Sequence, residues 1–456
     1  MLEIARYKEL FAADKERILQ DYFTFLRFAS IATDPAHKQD VLDCADWLGD
    51  YLKLIGLQVE KWETENAPVI FAHDLRAGPH KETLLIYCHY DVQPVDPLDE
   101  WITPPFEPTL REGEIYARGA TDNKGQCFYT ITAIKTLLKE LGKLPMNLKF
   151  LIEGEEESGS LSLSKAIQQK KEALKADYLL IVDSGIEHPE IPAITLGARG
   201  ILCMQVTIKE ANFDLHSGMT GGIAYNPNKA LVKLLAKLHD KDGKVAIPGF
   251  YDAVAEIPEE EKKEISFEFD VDHFDSMFGF VPSGMEEGIS PNEAAWLRPT
   301  AEINGICGGY SGAGFKTVIP AKAFAKLSCR LVPNQIPQEI AALVADFLVK
   351  NTPAGLRCEV EVFPGNGEGF RTNPKSRIAE LVAKSYTQVF EKPCKKILIG
   401  GSIPISVQLR EAAEAEMVLV GVGLPDDHIH APNEHFGLDR FEKGYLTICR
   451  TIELFP

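Results

Sequence analysis

An α/β fold, with a central sheet flanked by helices and an inserted α+β domain, is what this 456-residue sequence predicts, on three observations. In the first 190 residues, short runs rich in β-branched residues alternate with segments of helical period, the pattern of strands joined by crossover helices. From about residue 195 the strands become longer and alternate more loosely, and after about residue 366 the first pattern resumes. No internal repeat or low-complexity linker separates these regions, which fits an insertion joined by short hinges. The expected division is a discontinuous domain of residues 1–194 and 366–456 around an insert of residues 195–365.

Residues 1–30 read as one or two amphipathic helices. VLDCADWLGDYLKLIG, residues 41–56, repeats apolar positions at three- and four-residue spacing and stops at Gly56. Strands are expected at 68–73, 83–89 and 147–154, with a helix over 125–142 between the last two, and a further strand over 178–185 ends about Asp183. In the middle of the chain, strands are expected at 201–210, preceded by ITLG, and at 322–333. Helices are expected there over 226–240, beginning at Asn226 and Pro227, and over 338–351, followed by a strand at 357–365. The charged run 256–270 reads as a solvated helix or loop. A helix over 375–391, a strand over 416–423 and a helix from about 435 to 454 complete the chain.

Composition narrows the classes of function. With 45% hydrophobic and 25% charged residues, the chain has ample apolar material for a packed core. A formal charge of −19 disfavours nucleic acid and anionic membranes as partners, since both require a basic footprint. No apolar run approaches the roughly 18 to 20 residues of a membrane helix. The opening MLEIARYKEL carries charge among its apolar positions, so neither a signal nor a transit peptide is expected. Nine cysteines, at 44, 88, 127, 203, 307, 329, 358, 394 and 449, form no CxxC pair, and they are expected to be reduced in a cytoplasmic protein.

Five segments place acidic residues or histidine where an apolar strand meets a loop. They are CHYDVQP with His89 and Asp91, ARGATDNKG with Asp122, EGEEESGS with Glu156 and Glu157, IVDSG with Asp183, and HIHAPNE with His430. Singly, each has an ordinary explanation: a core histidine, an Asx turn, a solvated acidic turn. Together, three carboxylates and two histidines supply the ligand count for two metal ions, at strand ends where open α/β sheets bind ligands. Asp91, two residues after His89, projects to the same side and is suited to accept the other imidazole N–H, fixing the ring's tautomer.

In chain order, HYDVQP, RGATDNKG, EGEEESGS, DLHSG, RLVPN and HAPNE resemble the motifs of the two-zinc metallopeptidase superfamily of carboxypeptidase G, aminoacylase and carnosinase-like cytosolic dipeptidases. The resemblance spans about residues 80 to 440, and YCHYDVQP, EEESGS and FDLHSG are most similar to the dipeptidase branch. It implies that Asp122 bridges two ions, that His89 and Asp183 complete one site, and that Glu157 and His430 complete the other. It also implies that Glu156 is the general base, that Glu155 is structural, and that a cis peptide follows Asp122, with Asn123 at a permissive position. The H-x-x-N-E register selects His430, followed by Asn433 and Glu434, over His428 and His435. By the same resemblance, His216 in NFDLHSG acts from a partner subunit on the substrate carbonyl, and Arg330 clamps the substrate carboxylate together with Gly401 and Ser402 of GGSIP.

The resemblance therefore implies two Zn2+ per subunit, with Mn2+ or Co2+ suited to the same ligands, and a homodimer formed through an insert that also serves as a lid. In this superfamily the position of Asp183 is typically Asp in dipeptidases and aminopeptidases and Glu in carboxypeptidases and many deacylases. The expected activity is hydrolysis of dipeptides or short peptides by a metal-bridged water with Glu156 as general base. The alternative is an N-acyl-amino-acid deacylase of the acetylornithine or succinyl-diaminopimelate type, which shares both metals and the base. A non-catalytic scaffold is disfavoured because the ligands and the base are all present.

Overall fold

A computed structural model describes residues 3–455, so the first two residues of the expected N-terminal helix lie outside the described residues. The larger sheet has nine strands. Its order is Gln58–Trp62, Val69–Asp74, Asn147–Glu153, Thr83–His89, Tyr178–Val182, Glu416–Val420, Ala193–Ala198 and Phe370–Arg371, with Lys395–Ile399 also paired to Ala193–Ala198. The four strands Asn147–Glu153, Thr83–His89, Tyr178–Val182 and Glu416–Val420 run parallel, so their carboxyl ends open onto one edge.

Both faces of this sheet are covered, as a parallel core requires. Alternation along Thr83–His89 shows the division: Leu84, Ile86 and Cys88 join one core, and Leu85 and Tyr87 join the other. The first core packs under helices Ile4–Leu26, Lys38–Leu54, Lys124–Leu141, Arg377–Phe390 and Leu438–Leu454, the second under Leu161–Leu174 and Ser406–Ala413. The helix Lys38–Leu54 follows a turn in which the Asp34 carboxylate accepts the Ala36 N–H at 2.8 Å, and it ends before Gly56 at φ 100°.

A second, antiparallel sheet, ordered Thr300–Gly308, Lys322–Leu331, Gly200–Lys209 and Arg357–Val362, forms the inserted lid layer. Gly200–Lys209 alternates strictly between buried and half-buried residues, and its buried side packs with helices Pro227–Leu235 and Pro337–Asn351.

Several elements differ from the sequence reading. Ala193–Ala198, which contains ITLG, belongs to the large sheet, so the boundary expected between residues 194 and 195 falls inside one of its strands. The helix expected over 226–240 stops at Leu235, because Asp240 caps a tight turn by accepting the N–H groups of Asp242 and Lys244 at 2.9 and 3.0 Å. The closing helix starts at Leu438, because His435–Gly437 pairs as a strand with Glu114–Tyr116. The charged run at 256–270 is not simply solvated. Ile265 is buried in the large core, the Ser266 N–H donates to Lys396 O at 2.8 Å, and Glu268 pairs with Lys395, strapping this segment to the large sheet. Strands Gln58–Trp62, Thr300–Gly308 and Lys395–Ile399 and helices Leu161–Leu174 and Ser406–Ala413 escaped the reading, their alternation or period being short or mixed with charge.

Candidate metal centre

The carboxyl ends of the parallel strands deliver the site. His89 is the last residue of Thr83–His89, Asp183 follows Tyr178–Val182, and Glu156 and Glu157 occupy a turn just beyond Asn147–Glu153. Asp122 precedes helix Lys124–Leu141, and His430 comes from the loop after Glu416–Val420. Two sets of ligand-type atoms converge, His89 with Asp122 and Asp183, and Asp122 with Glu157 and His430, each set within 4.8 Å.

Asp122 is common to both sets. Its Oδ1 lies 3.2 Å from His89 Nε2 and its Oδ2 lies 3.0 Å from His430 Nε2. His89 Nε2 is 3.9 Å from Asp183 Oδ1, and His430 Nε2 is 3.3 Å from Glu157 Oε2. The donor set fits divalent cations: imidazoles and carboxylates in two open groups sharing one carboxylate. A further observation agrees, since Glu157 Oε1 is buried without a hydrogen-bond partner among the described residues, an acceptor that a cation would satisfy.

Electrostatics mark the same place. Burial raises the Asp183 carboxyl to about 7, with Asp122 and Glu157 adding to the push against the opposing effect of His89. Burial likewise holds Glu156 well above the ordinary carboxylate value, with Asp183 and Glu157 reinforcing it. Burial alone would raise Asp122 too, but hydrogen bonds from His430 and His89 carry it below that value. The Asp122 and Glu157 carboxylates raise His430 to about 10.

The supporting residues are specific. His89 Nδ1 faces both the Asp91 backbone oxygen at 3.1 Å and its Oδ1 at 3.3 Å. The same Asp91 carboxylate accepts the N–H groups of Glu156 and Glu157 at 3.2 and 3.0 Å, so it orients histidine and acidic turn together. Glu155 is buried, accepting from Asn66 Nδ2 and the Ser162 N–H at 2.6 and 3.0 Å. The peptide bond between Asp122 and Asn123 is cis.

Two supports went unrecognised in the sequence. Asn123, expected at a permissive position, donates from Nδ2 to Val182 O at 2.7 Å and Asp183 Oδ1 at 3.1 Å, and its Oδ1 accepts the His89 N–H at 3.2 Å. Glu434, noted only for register, is fully buried and accepts four donors: Arg118 Nη1, and the N–H groups of Gly119, Thr121 and Asp122, at 2.8 to 3.0 Å. Neither role has a sequence signature, because each depends on loops that meet only in the folded chain.

The remaining candidates divide. Gly401 and Ser402 line the cleft of about 510 Å3 that also contains Asp122, Glu156, Glu157, Asp183 and His430. Arg330 reaches this loop by donating from Nη1 to Ser402 Oγ at 2.9 Å. His216 is not brought to the cluster within one chain; it is exposed on Leu215–His216, where its Nδ1 accepts the Gly218 N–H. His428 and His435 meet edge to face and belong to neither ligand set.

Paired histidine–carboxylate sets on the carboxyl edge of a parallel sheet define a metal-dependent hydrolase. The model of the peptidase family M20/M25/M40 matches residues 85–454, and the chain belongs to that family. It is 32% identical over 437 residues to the Cys-Gly metallodipeptidase dug1 of Schizosaccharomyces pombe, covering 92% of this chain and 91% of that protein. To the Beta-Ala-His dipeptidase of Homo sapiens it is 34% identical over 387 residues, covering 83% and 75%. Among solved structures, the M20 family metallo-carboxypeptidase Sso-CP2 of Sulfolobus solfataricus superposes with a TM-score of 0.88 at 34% identity, over 96% of this chain and 99% of that one.

Two outcomes test this centre. Glu434→Gln sets an amide N–H2 against peptide donors that hold Asp122, and is expected to weaken divalent metal binding by about 10- to 100-fold, measured by competition with a chelating dye; unchanged affinity would remove Glu434 from the site's support. A cation must displace the protons held by Asp183 and His430, whose values are raised to about 7 and about 10. Metal affinity of the chelator-stripped protein is therefore expected to rise with pH, most steeply up to about 7 and further towards about 10, with proton release measured calorimetrically in buffers of different ionisation enthalpy; a pH-independent affinity would contradict the assignment.

Proposed function

We propose that this protein is a dipeptidase that uses two divalent cations, zinc by preference, to hydrolyse free dipeptides and short peptides. The carrying observation is Asp122, whose two oxygens face two different histidines at 3.2 and 3.0 Å beside the raised carboxyl of Glu156. Relatives described as a Cys-Gly metallodipeptidase and a Beta-Ala-His dipeptidase support the substrate class over N-acyl amino acids.

In this reading His89, Asp183 and Asp122 hold one cation, and Asp122, Glu157 and His430 hold the other. When bound, the ions polarise the scissile carbonyl and make water nucleophilic near neutral pH. Glu156 accepts the water's proton and returns it to the departing amine, and a carboxyl raised by burial suits that shuttle. Asp91 holds the His89 ring and the acidic turn in register. Arg330, with Gly401 and Ser402, receives the substrate carboxylate.

The insert, which begins after Ala198 and returns to the large sheet at Phe370, acts as lid and dimerisation module. Supporting this, the edge strand Thr300–Gly308 exposes Ile303 and Ile306, and Phe213, Met219 and Ile223 are exposed around His216. The homodimer lets the partner subunit's His216 hydrogen-bond the carbonyl oxygen as charge develops on it. The nine free cysteines support a cytoplasmic setting.

The zinc-loaded protein is expected to release free amino acids from dipeptides, and Glu156→Gln to lower that rate by roughly 10²- to 10⁴-fold with metal content unchanged. A panel should set dipeptides beside N-acetyl and N-succinyl amino acids and longer N-blocked peptides. Preference for acylated amino acids would replace this reading with a deacylase, and trimming of blocked peptides with a carboxypeptidase, the activity named for the archaeal neighbour. Mixing the weakened His216→Ala and Glu156→Gln subunits is expected to restore activity, because one site per heterodimer regains both groups. Exchange of subunits without recovery would defeat the role in trans.

A further inference from the structure

Arg199 is the single residue between Ala193–Ala198 of the large sheet and Gly200–Lys209 of the insert, and its backbone and guanidinium bond to both parts of the molecule. Its N–H donates to Ile399 O at 3.3 Å, and its carbonyl accepts the Ser402 hydroxyl. The guanidinium donates from Nε to Gly400 O and from Nη1 to Arg298 O, both at 3.2 Å. One side chain therefore ties the 400–402 loop to the insert, and the loop lies so close that a Cβ on Gly400 would meet Arg199 Nη2 at 2.8 Å. Arg330 approaches the same Ser402 from the insert sheet, where it pairs in register with Ile201.

Neither guanidinium is ion-paired among the described residues; each contacts only carbonyl or hydroxyl oxygens. Two cations thus flank one loop without a carboxylate between them. Burial, with Arg330 next, lowers Arg199 only to about 10, so it keeps its charge at neutral pH, and Glu302 is the one carboxylate that acts on it appreciably. Buried positive charge beside a second guanidinium is costly unless an anion joins them.

We propose that Arg199 is a specificity-determining positioning residue: it sets the Gly400–Ser402 loop against Arg330 and adds the second positive charge that selects substrates ending in a free carboxylate. This rests on the reading that Arg330 and Ser402 receive that carboxylate. Binding of the anion would draw together the hinge, the loop and the lid strand, which Arg199 already links.

The test compares kcat and KM for matched dipeptides and dipeptide amides in the zinc-loaded wild type, Arg199→Met, Arg199→Lys and Arg330→Met, with thermal midpoint and metal content as controls. Arg199→Met is expected to raise KM for the free dipeptide by about tenfold or more while changing kcat less and leaving the amide unaffected. Arg199→Lys, which keeps the charge but cannot span both carbonyls, is expected to lose part of the preference. A wild-type carboxylate-to-amide ratio in Arg199→Met, with the ratio lost in Arg330→Met, would overturn the proposal and leave the Arg330 reading standing. Absence of any carboxylate preference in the wild type would overturn both. Should Arg199→Met fail to fold, Arg199→Lys decides, and an unchanged ratio there overturns the proposal.

Discussion

Carboxylate crowding at the carboxyl edge of the parallel strands is the constraint around which this molecule is built. Asp122, Glu156, Glu157 and Asp183 line one cleft, with Asp91 buried behind His89 and the two imidazoles set among the carboxylates. Burial, reinforced by mutual repulsion, pushes Asp183, Glu156 and Glu157 towards protonation, a state that cations relieve. The same crowding that costs stability in the free side chains favours a bound cation and, in the proposed mechanism, keeps the Glu156 carboxyl basic enough to hold a proton.

Holding such groups together requires a rigid frame, and the frame is made of peptide N–H groups as much as of side chains. Asp91 receives two of them from the acidic turn, and Glu434 receives three from the loop that ends at Asp122. The loop around His430 is fixed from the other side. Asn433, in left-handed backbone at φ 65°, donates to Glu100 O at 2.9 Å and accepts the Ile102 N–H at 2.8 Å. Segments more than 300 residues apart in sequence are thereby locked at the centre.

Beyond the centre, the large sheet and the insert are joined by apolar packing, ion pairs and directed hydrogen bonds. Arg199 bonds to both sides, the strap from Ile257 to Glu268 docks on the large core, and Trp296 of the insert lines the cleft. The insert is consequently attached beside the Gly400–Ser402 loop, and in the proposed reading this would link lid closure to recognition of the substrate carboxylate.

How much of this was legible in the linear chain follows from the range of the forces involved. The α/β class, the parallel strands at 83–89 and 147–153, and the ligand candidates His89, Asp122, Glu157, Asp183 and His430 could be read because period, strand ends and short motifs are local properties. Helix and strand limits shifted wherever a turn or a pairing partner intervened, as at Asp240 and at His435–Gly437. Asn123 looked permissive and Glu434 served only to set the register of His430, because their hydrogen-bond partners lie across the fold. By itself, then, the sequence determined the sheet's periodicity and the kinds of ligand available. Only the tertiary structure decided which oxygen faces which nitrogen and which arginine holds the hinge, because those distances arise from segments packed together long after the local pattern has ended.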